Sequence, residues 1–273
     1  MAPEAARIGR SRIFSNSNPL YAVTGLLVGI LVGLTGVGGG SLMTPLLVLL
    51  FRFHPATAVG TDLLCASLTK TVGSAVHHKQ RMIEWRIVTS LALGSVPAAV
   101  VSLLVLSHLG AMSPKAASVI SLFLAAALLL TAVSVFFRPM ILDWADRRFS
   151  ASPEHDPRIR TIVLGMALGV MVSLTSVGAG ALGTTALLIL YPRLPTARIV
   201  ATDIAHAVPL TLIAGFGHWL MGSVDLGLMV ALLTGSVPGV VIGSLMSARS
   251  SDRVLRPVLA VTVLAVSLRM FAA

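Results

Sequence analysis

Four ionisable residues stand inside stretches that are otherwise apolar. Asp62 and Asp203 each follow a threonine, Lys70 lies eight residues after Asp62, and His206 lies three after Asp203. A carboxylate in hydrocarbon costs about 3 kcal/mol on insertion scales, so it normally has a partner or a task. Two tasks fit this pair. One is proton or sodium coupling; the other is bracing, with the carboxylate accepting N–H bonds from a turn or capping a helix. An acceptor-only group beside an anion repels it unless protonated. Lys70 falls two helical turns beyond Asp62 on the same face, and the matching position later in the chain holds Thr211. It fits an anion counter-charge, an ion-pair partner for Asp62, or a cation snorkelling to the interface. His206 fits a proton relay or a hydrogen-bonded core histidine.

Beside these residues are two glycine motifs, Val37-Gly38-Gly39-Gly40-Ser41 and Val177-Gly178-Ala179-Gly180-Ala181, each opening a short apolar segment. Glycine permits a tight turn and close backbone approach, and free N–H groups at a helix N-terminus carry partial positive charge that suits an anion. Hydroxyls flank both turns: Thr35, Ser41 and Thr44 in the first, Thr175, Ser176 and Thr184 in the second. The expected substrate contacts are therefore Gly38, Gly39, Gly40, Ser41, Thr44, Gly178, Ala179, Gly180, Ala181, Thr184 and Lys70, with Asp62, Asp203 and His206 in coupling or structural roles. The competing readings are close helix packing for the glycines and bonding back to helix carbonyls for the hydroxyls.

The elements that must hold these residues follow from hydropathy. The chain is 56% hydrophobic and 11% charged, with mean hydropathy +0.93, which excludes a water-soluble fold. Continuous apolar runs such as 88–106, 116–137 and 254–268 suit helices crossing about 30 Å of hydrocarbon, whereas barrel strands would alternate. The fold class is an all-α polytopic membrane protein.

The chain also repeats itself. Leu34 to Thr44 matches Leu174 to Thr184 at an offset of 140; at an offset of 141, Thr61-Asp62 pairs with Thr202-Asp203, His77 with His218, and Gly94-Ser95-Val96-Pro97 with Gly235-Ser236-Val237-Pro238. Each half reads as five apolar segments, the second only about 11 residues long, roughly 16 Å at 1.5 Å per residue and too short to span. Segments one and two are expected to form a re-entrant hairpin about the glycine turn, followed by about three transmembrane helices. An odd segment count makes the halves inverted repeats. The boundaries are a basic tail at 1–19, repeat 1 at 20–137, a charged linker at 138–160, and repeat 2 at 161–273. Pro97 and Pro238 are expected to kink their helices.

Alternating the sides of the loops divides the lysines and arginines 13 to 6. The positive-inside rule then places both termini outside, against the basic Arg7, Arg10 and Arg12. Those arginines resemble the basic region of a signal peptide, but the apolar segment runs on into the glycine motif, so cleavage is not expected. The net charge of +10 serves topology rather than nucleic-acid binding, because the arginines sit in short loops. A lone Cys65, no His-Glu-x-x-His, no phosphate-binding Gly-Lys-Ser/Thr and no core glutamate leave no expectation of metal, cofactor or enzyme activity.

Gly33 to Pro45, Ala58-Val59-Gly60-Thr61-Asp62 and Gly94-Ser95-Val96-Pro97-Ala98 resemble the TauE/SafE family of sulfite and sulfonate exporters, over nearly the whole chain from Tyr21. The second half departs from that pattern at Ala179, Thr185 and Ala201. The resemblance implies inverted repeats and export of sulfur-containing anions such as sulfite, sulfoacetate or other sulfonates. Together with the residues it gives an expected secondary transporter in a bacterial inner membrane. The anion would sit at the midplane between two half-helix N-termini, with protons as a candidate coupling ion. The alternatives are a passive anion channel and a transporter of another small carboxylate or oxyanion.

Overall fold

Backbone N–H and C=O groups cannot be left unpaired in hydrocarbon, so apolar runs of this length close their hydrogen bonds within themselves. The computed structural model describes residues 19–35, 40–142, 157–247 and 252–271, which form helices joined by short turns, with no strand among them. In chain order the helices are α1 (Pro19–Thr35), α2 (Gly40–Leu49), α3 (Pro55–Lys79), α4 (Trp85–Leu109), α5 (Pro114–Phe136), α6 (Arg158–Thr175), α7 (Ala181–Leu190), α8 (Thr196–Leu220), α9 (Leu226–Ser247) and α10 (Asp252–Phe271). Among the described residues five are long and apolar enough to cross a membrane: α4, α5, α6, α8 and the Leu226–Gly243 part of α9. α3 is as long as α4 but more polar, since it carries Asp62 and Lys70. α2 and α7 have 10 residues each, about 15 Å, and neither can span alone.

Without a hydrophobic driving force between helices in lipid, association depends on close van der Waals packing, which small residues permit. Two crossings use this. α4 and α6 meet at Gly94, Gly165 and Gly169, and α1 and α9 meet at Gly235, Gly25 and Gly29. A Cβ on Gly94 would stand 2.0 Å from the Ile162 carbonyl oxygen, and one on Gly235 would stand 1.8 Å from that of Ala22. The equivalences Gly25/Gly165, Gly29/Gly169 and Gly94/Gly235 preserve the sequence offsets, so the two crossings are copies. Within each, ascending residues of one helix meet ascending residues of the other, and the helices run parallel. Gly94→Ala or Gly235→Ala must push backbone away from backbone, an overpacking cost of about 1–3 kcal/mol or more. The melting temperature in detergent should fall clearly. Gly73→Ala, whose Cβ would meet only Ile204 Cγ2 at 3.7 Å, should leave it unchanged.

α3 and α8, which carry the Thr-Asp pairs, pack along their length in the opposite sense. Gly60 lies against His218, Gly215 against Leu64 and Gly73 against Ile204, so these helices are antiparallel. Their apolar contact joins Val59 and Leu63 to Ala207, Leu210 and Ala214 in one buried cluster. Each threonine of the pairs receives a bond from the other half of the chain: Thr202 Oγ1 accepts from the Glu84 N–H at 3.0 Å, and Thr61 Oγ1 from the Asp225 N–H at 3.2 Å. These two bonds are again related by the offset of 141. At the Glu84 end an ion pair is added, Arg198 Nη1 to Glu84 Oε1 at 2.8 Å; the position equivalent to Arg198 is Thr57.

Candidate functional site

The turn between α6 and α7 is built from its own side chains. Thr175 Oγ1 donates to the Met171 carbonyl at 2.6 Å and accepts from the Val177 N–H at 3.0 Å, fixing the chain as it leaves α6. Ser176 follows in the left-handed region at φ 60, and Gly178 and Gly180 take φ of 122 and 131, which L side chains rarely adopt. α7 then opens with the Gly183 and Thr184 N–H groups donating to the Gly178 and Gly180 carbonyls at 3.0 and 3.1 Å. The corresponding residues Gly38 and Gly39 lie outside the described residues; Gly40 opens α2, and Ser41 and Thr44 behind it are buried.

Lys70 comes from the first half of the chain and reaches the turn of the second. Its Nζ donates to the Ala179 carbonyl oxygen at 3.1 Å. The lysine acts electrostatically on both Asp203 and Asp62, while among the described residues neither carboxylate closes an ion pair with it. The side chain is partly accessible, whereas Asp62 and Asp203 are 3% and 1% exposed.

The two carboxylates are held differently. Asp62 Oδ2 accepts from Thr44 Oγ1 at 2.7 Å, and the Ser176 hydroxyl faces the same carboxylate without closing a bond of ordinary geometry. Thr184, the counterpart of Thr44, donates instead to the Gly180 and Ala181 carbonyls of its own turn. Asp203 therefore has no hydroxyl partner. The Gly180 N–H faces it, and it lies so close over Gly183 that a Cβ there would stand 2.2 Å from Oδ1. The first half has Met43 at the position equivalent to Gly183. Asp203 Oδ1 is buried with no protein partner.

His206 is fully buried, with Nε2 2.8 Å from Ser95 Oγ on α4 and Nδ1 unpartnered. Either atom can be the donor; in the tautomer whose Nε2 accepts from the serine hydroxyl, Nδ1–H is an unused donor. The ring also lies within electrostatic reach of Lys70.

The structure thus brings together Lys70, Asp62, Asp203, His206 and the Ala179–Gly180 turn, with Thr44 behind Asp62. It does not bring the Thr184 hydroxyl toward them. His218 is fully buried and donates from Nε2 to the Ser173 carbonyl at 2.9 Å. Sequence reasoning missed Ser95 as the partner of His206, which is a contact between distant helices, and Gly183 as the seat of Asp203, although glycine opposite Met43 marks that position. Removing the Thr44 hydroxyl should leave a buried carboxylate oxygen unmatched. Thr44→Val, equal in shape, is expected to cost about 1–3 kcal/mol, read as a lower melting temperature, while Thr184→Val should cost less because its hydroxyl serves only its own helix.

The sequence profile of the family described as Sulfite exporter TauE/SafE matches residues 21–270. Similar proteins occur in Bacillus subtilis (strain 168); of two of them, the first, the "Probable membrane transporter protein YjnA", is 42% identical over 248 residues, covering 90% of this chain and 96% of its own. The second, "Probable membrane transporter protein YdhB", is 28% identical over 220 residues, 80% of this chain and 85% of its own. A more distant relative is the "Probable membrane transporter protein MJ0441" of Methanocaldococcus jannaschii, 25% identical over 214 residues. No solved structure gives a significant match. The match runs through both glycine motifs, both Thr-Asp pairs and the helices that hold them: the chain belongs to the TauE/SafE family of membrane transporters.

Proposed function

We propose that this transporter is a secondary exporter of small sulfur-containing anions, such as sulfite, sulfoacetate or another sulfonate, in a bacterial inner membrane. The anion binds where Lys70 meets the α6–α7 turn. The observation that carries this reading is the cation at the turn: Lys70 spends one hydrogen on Ala179 and keeps two, with unused donors on Ser176 and His206 close by. A tetrahedral or pyramidal oxyanion needs several donors converging from different directions, and charged donors strengthen the bonds. Gly178, Ala179 and Gly180 supply the backbone there. By the offsets in the sequence, Gly38, Gly39, Gly40, Ser41 and Thr44 supply the opposing turn, with Ala181 and Thr184 framing the near side.

Two inverted repeats, 20–137 and 161–273, give this site its place at the midplane. Supporting that reading, the equivalent helices α3 and α8 run antiparallel, as an axis lying in the membrane plane requires, and the glycine crossings recur in copy. Purified protein in liposomes, loaded in turn with sulfite, methanesulfonate, sulfoacetate, sulfate, acetate and lactate, tests the substrate class. Saturable counterflow of the sulfur anions is expected. Saturable flux of the carboxylates alone would overturn the substrate class, and flux linear in concentration would make the protein a channel.

A further inference from the structure

From the charges around Lys70 we infer that the protein moves a monoanion together with one proton carried on Asp203, in an electroneutral step. This rests on the reading of the Lys70 region as the anion site.

The groups facing Asp203 can be enumerated. α3 contributes Lys70, which acts on Asp203, and Asp62, which acts on Lys70; α8 itself contributes His206, one turn on from Asp203 and within reach of Lys70. α4 contributes the hydroxyl of Ser95. α7 carries no ionisable residue, and the basic residues of α6 are confined to its first turn at Arg158 and Arg160. One built-in cation is therefore shared between two carboxylates, and the empty site with both ionised carries one net negative charge. An anion entering that site would meet Asp203 Oδ1, a buried acceptor with nothing to accept from. A proton on Asp203 removes the repulsion and turns the same atom into a donor, beside Lys70 and the Nδ1–H of His206. Asp62 is excluded from this role because it already accepts from Thr44.

The balance closes. Empty, the site holds Asp62 minus, Lys70 plus and Asp203 minus. Loaded, it holds Asp62 minus, Lys70 plus, neutral Asp203 and the bound monoanion. Both states carry the same net charge, so the crossing step moves none. The membrane potential then has no hold on the cycle, and direction follows the product of the anion and proton gradients. One pH unit offsets about a tenfold anion ratio, so an anion accumulated inside beyond that ratio leaves against an inward proton gradient.

The test uses methanesulfonate, a permanent monoanion that cannot carry the proton itself. In proteoliposomes with an outward methanesulfonate gradient and a luminal pH dye, about one proton should leave with each anion, at a rate unaffected by a potassium–valinomycin potential. Asp203→Asn should keep methanesulfonate counterflow, lose the proton movement and become sensitive to the potential. Asp62→Asn should retain proton movement and insensitivity to potential. Methanesulfonate flux in the wild type without proton movement, or driven by the potential, overturns the inference while leaving the substrate class intact. If the liposomes move only acetate or lactate, the substrate class fails and the same dye measurement on that anion decides the coupling. No flux of any anion overturns both.

Discussion

Lys70→Met should nearly abolish transport while the protein still folds and reaches the membrane. Methionine keeps the length and apolar stem of the side chain but removes the ammonium, which donates to the Ala179 carbonyl at 3.1 Å and acts electrostatically on both Asp62 and Asp203. A charge-assisted hydrogen bond is worth about 1.5–3 kcal/mol, so anion affinity should fall roughly 10- to 150-fold. The two carboxylates would also lose their shared counter-charge, which adds repulsion toward any anion that enters. Thr211, the residue at the equivalent place in the second half, gives a matched control: Thr211 Oγ1 bonds to the Ala207 carbonyl of its own helix, and Thr211→Val should leave affinity near the wild-type value. Concentration-dependent counterflow measures both. Wild-type affinity in the Lys70 variant would take the site away from this lysine.

The second large effect is expected from a single methyl group. In Gly183→Ala the new Cβ would lie 2.2 Å from Asp203 Oδ1 and 3.0 Å from its Cγ. Aspartate has only two side-chain torsions, so relief comes by rotating the carboxylate off the start of α7, where the Gly180 N–H faces it. The helices can stay as they are. Transport should drop tenfold or more and lose its response to a pH gradient, with little change in expression. Combining Gly183→Ala with Asp203→Asn should do no further damage to the pH response, since both act through one carboxylate. Additive losses would place the effect of Gly183 elsewhere.

Much of this arrangement was legible in the sequence because hydrocarbon imposes simple rules. Apolar runs had to be helices, undersized runs after glycine could not span, and matched blocks at fixed offsets marked equivalent helices. Asp62, Asp203 and Lys70 stood out because ionisable groups are costly at that depth. What sequence could not give was which atom meets which. Thr44 and Thr184 occupy equivalent positions, yet one donates across to Asp62 and the other back to its own turn. The choice depends on the distance between helices, which hydropathy does not encode. Gly94 and Gly235 were noticed only as parts of matched blocks with a proline. Their role, with Gly25/Gly29 and Gly165/Gly169, is to let backbones touch, and the four-residue glycine spacing in α1 and α6 carried that information. His206 and Ser95 are 111 residues apart, and no local pattern connects them.

The most direct test of an anion site at Lys70 is to locate a heavy analogue of the substrate. Selenite has the shape and charge of sulfite and a strong anomalous signal at the selenium edge. In crystals of the purified protein grown with selenite, the account predicts one dominant selenium peak between Lys70 Nζ, the Ser176 hydroxyl and His206 Nδ1, absent from crystals of Lys70→Met. A peak of equal height in both proteins, or one lying away from the α6–α7 turn, would contradict it.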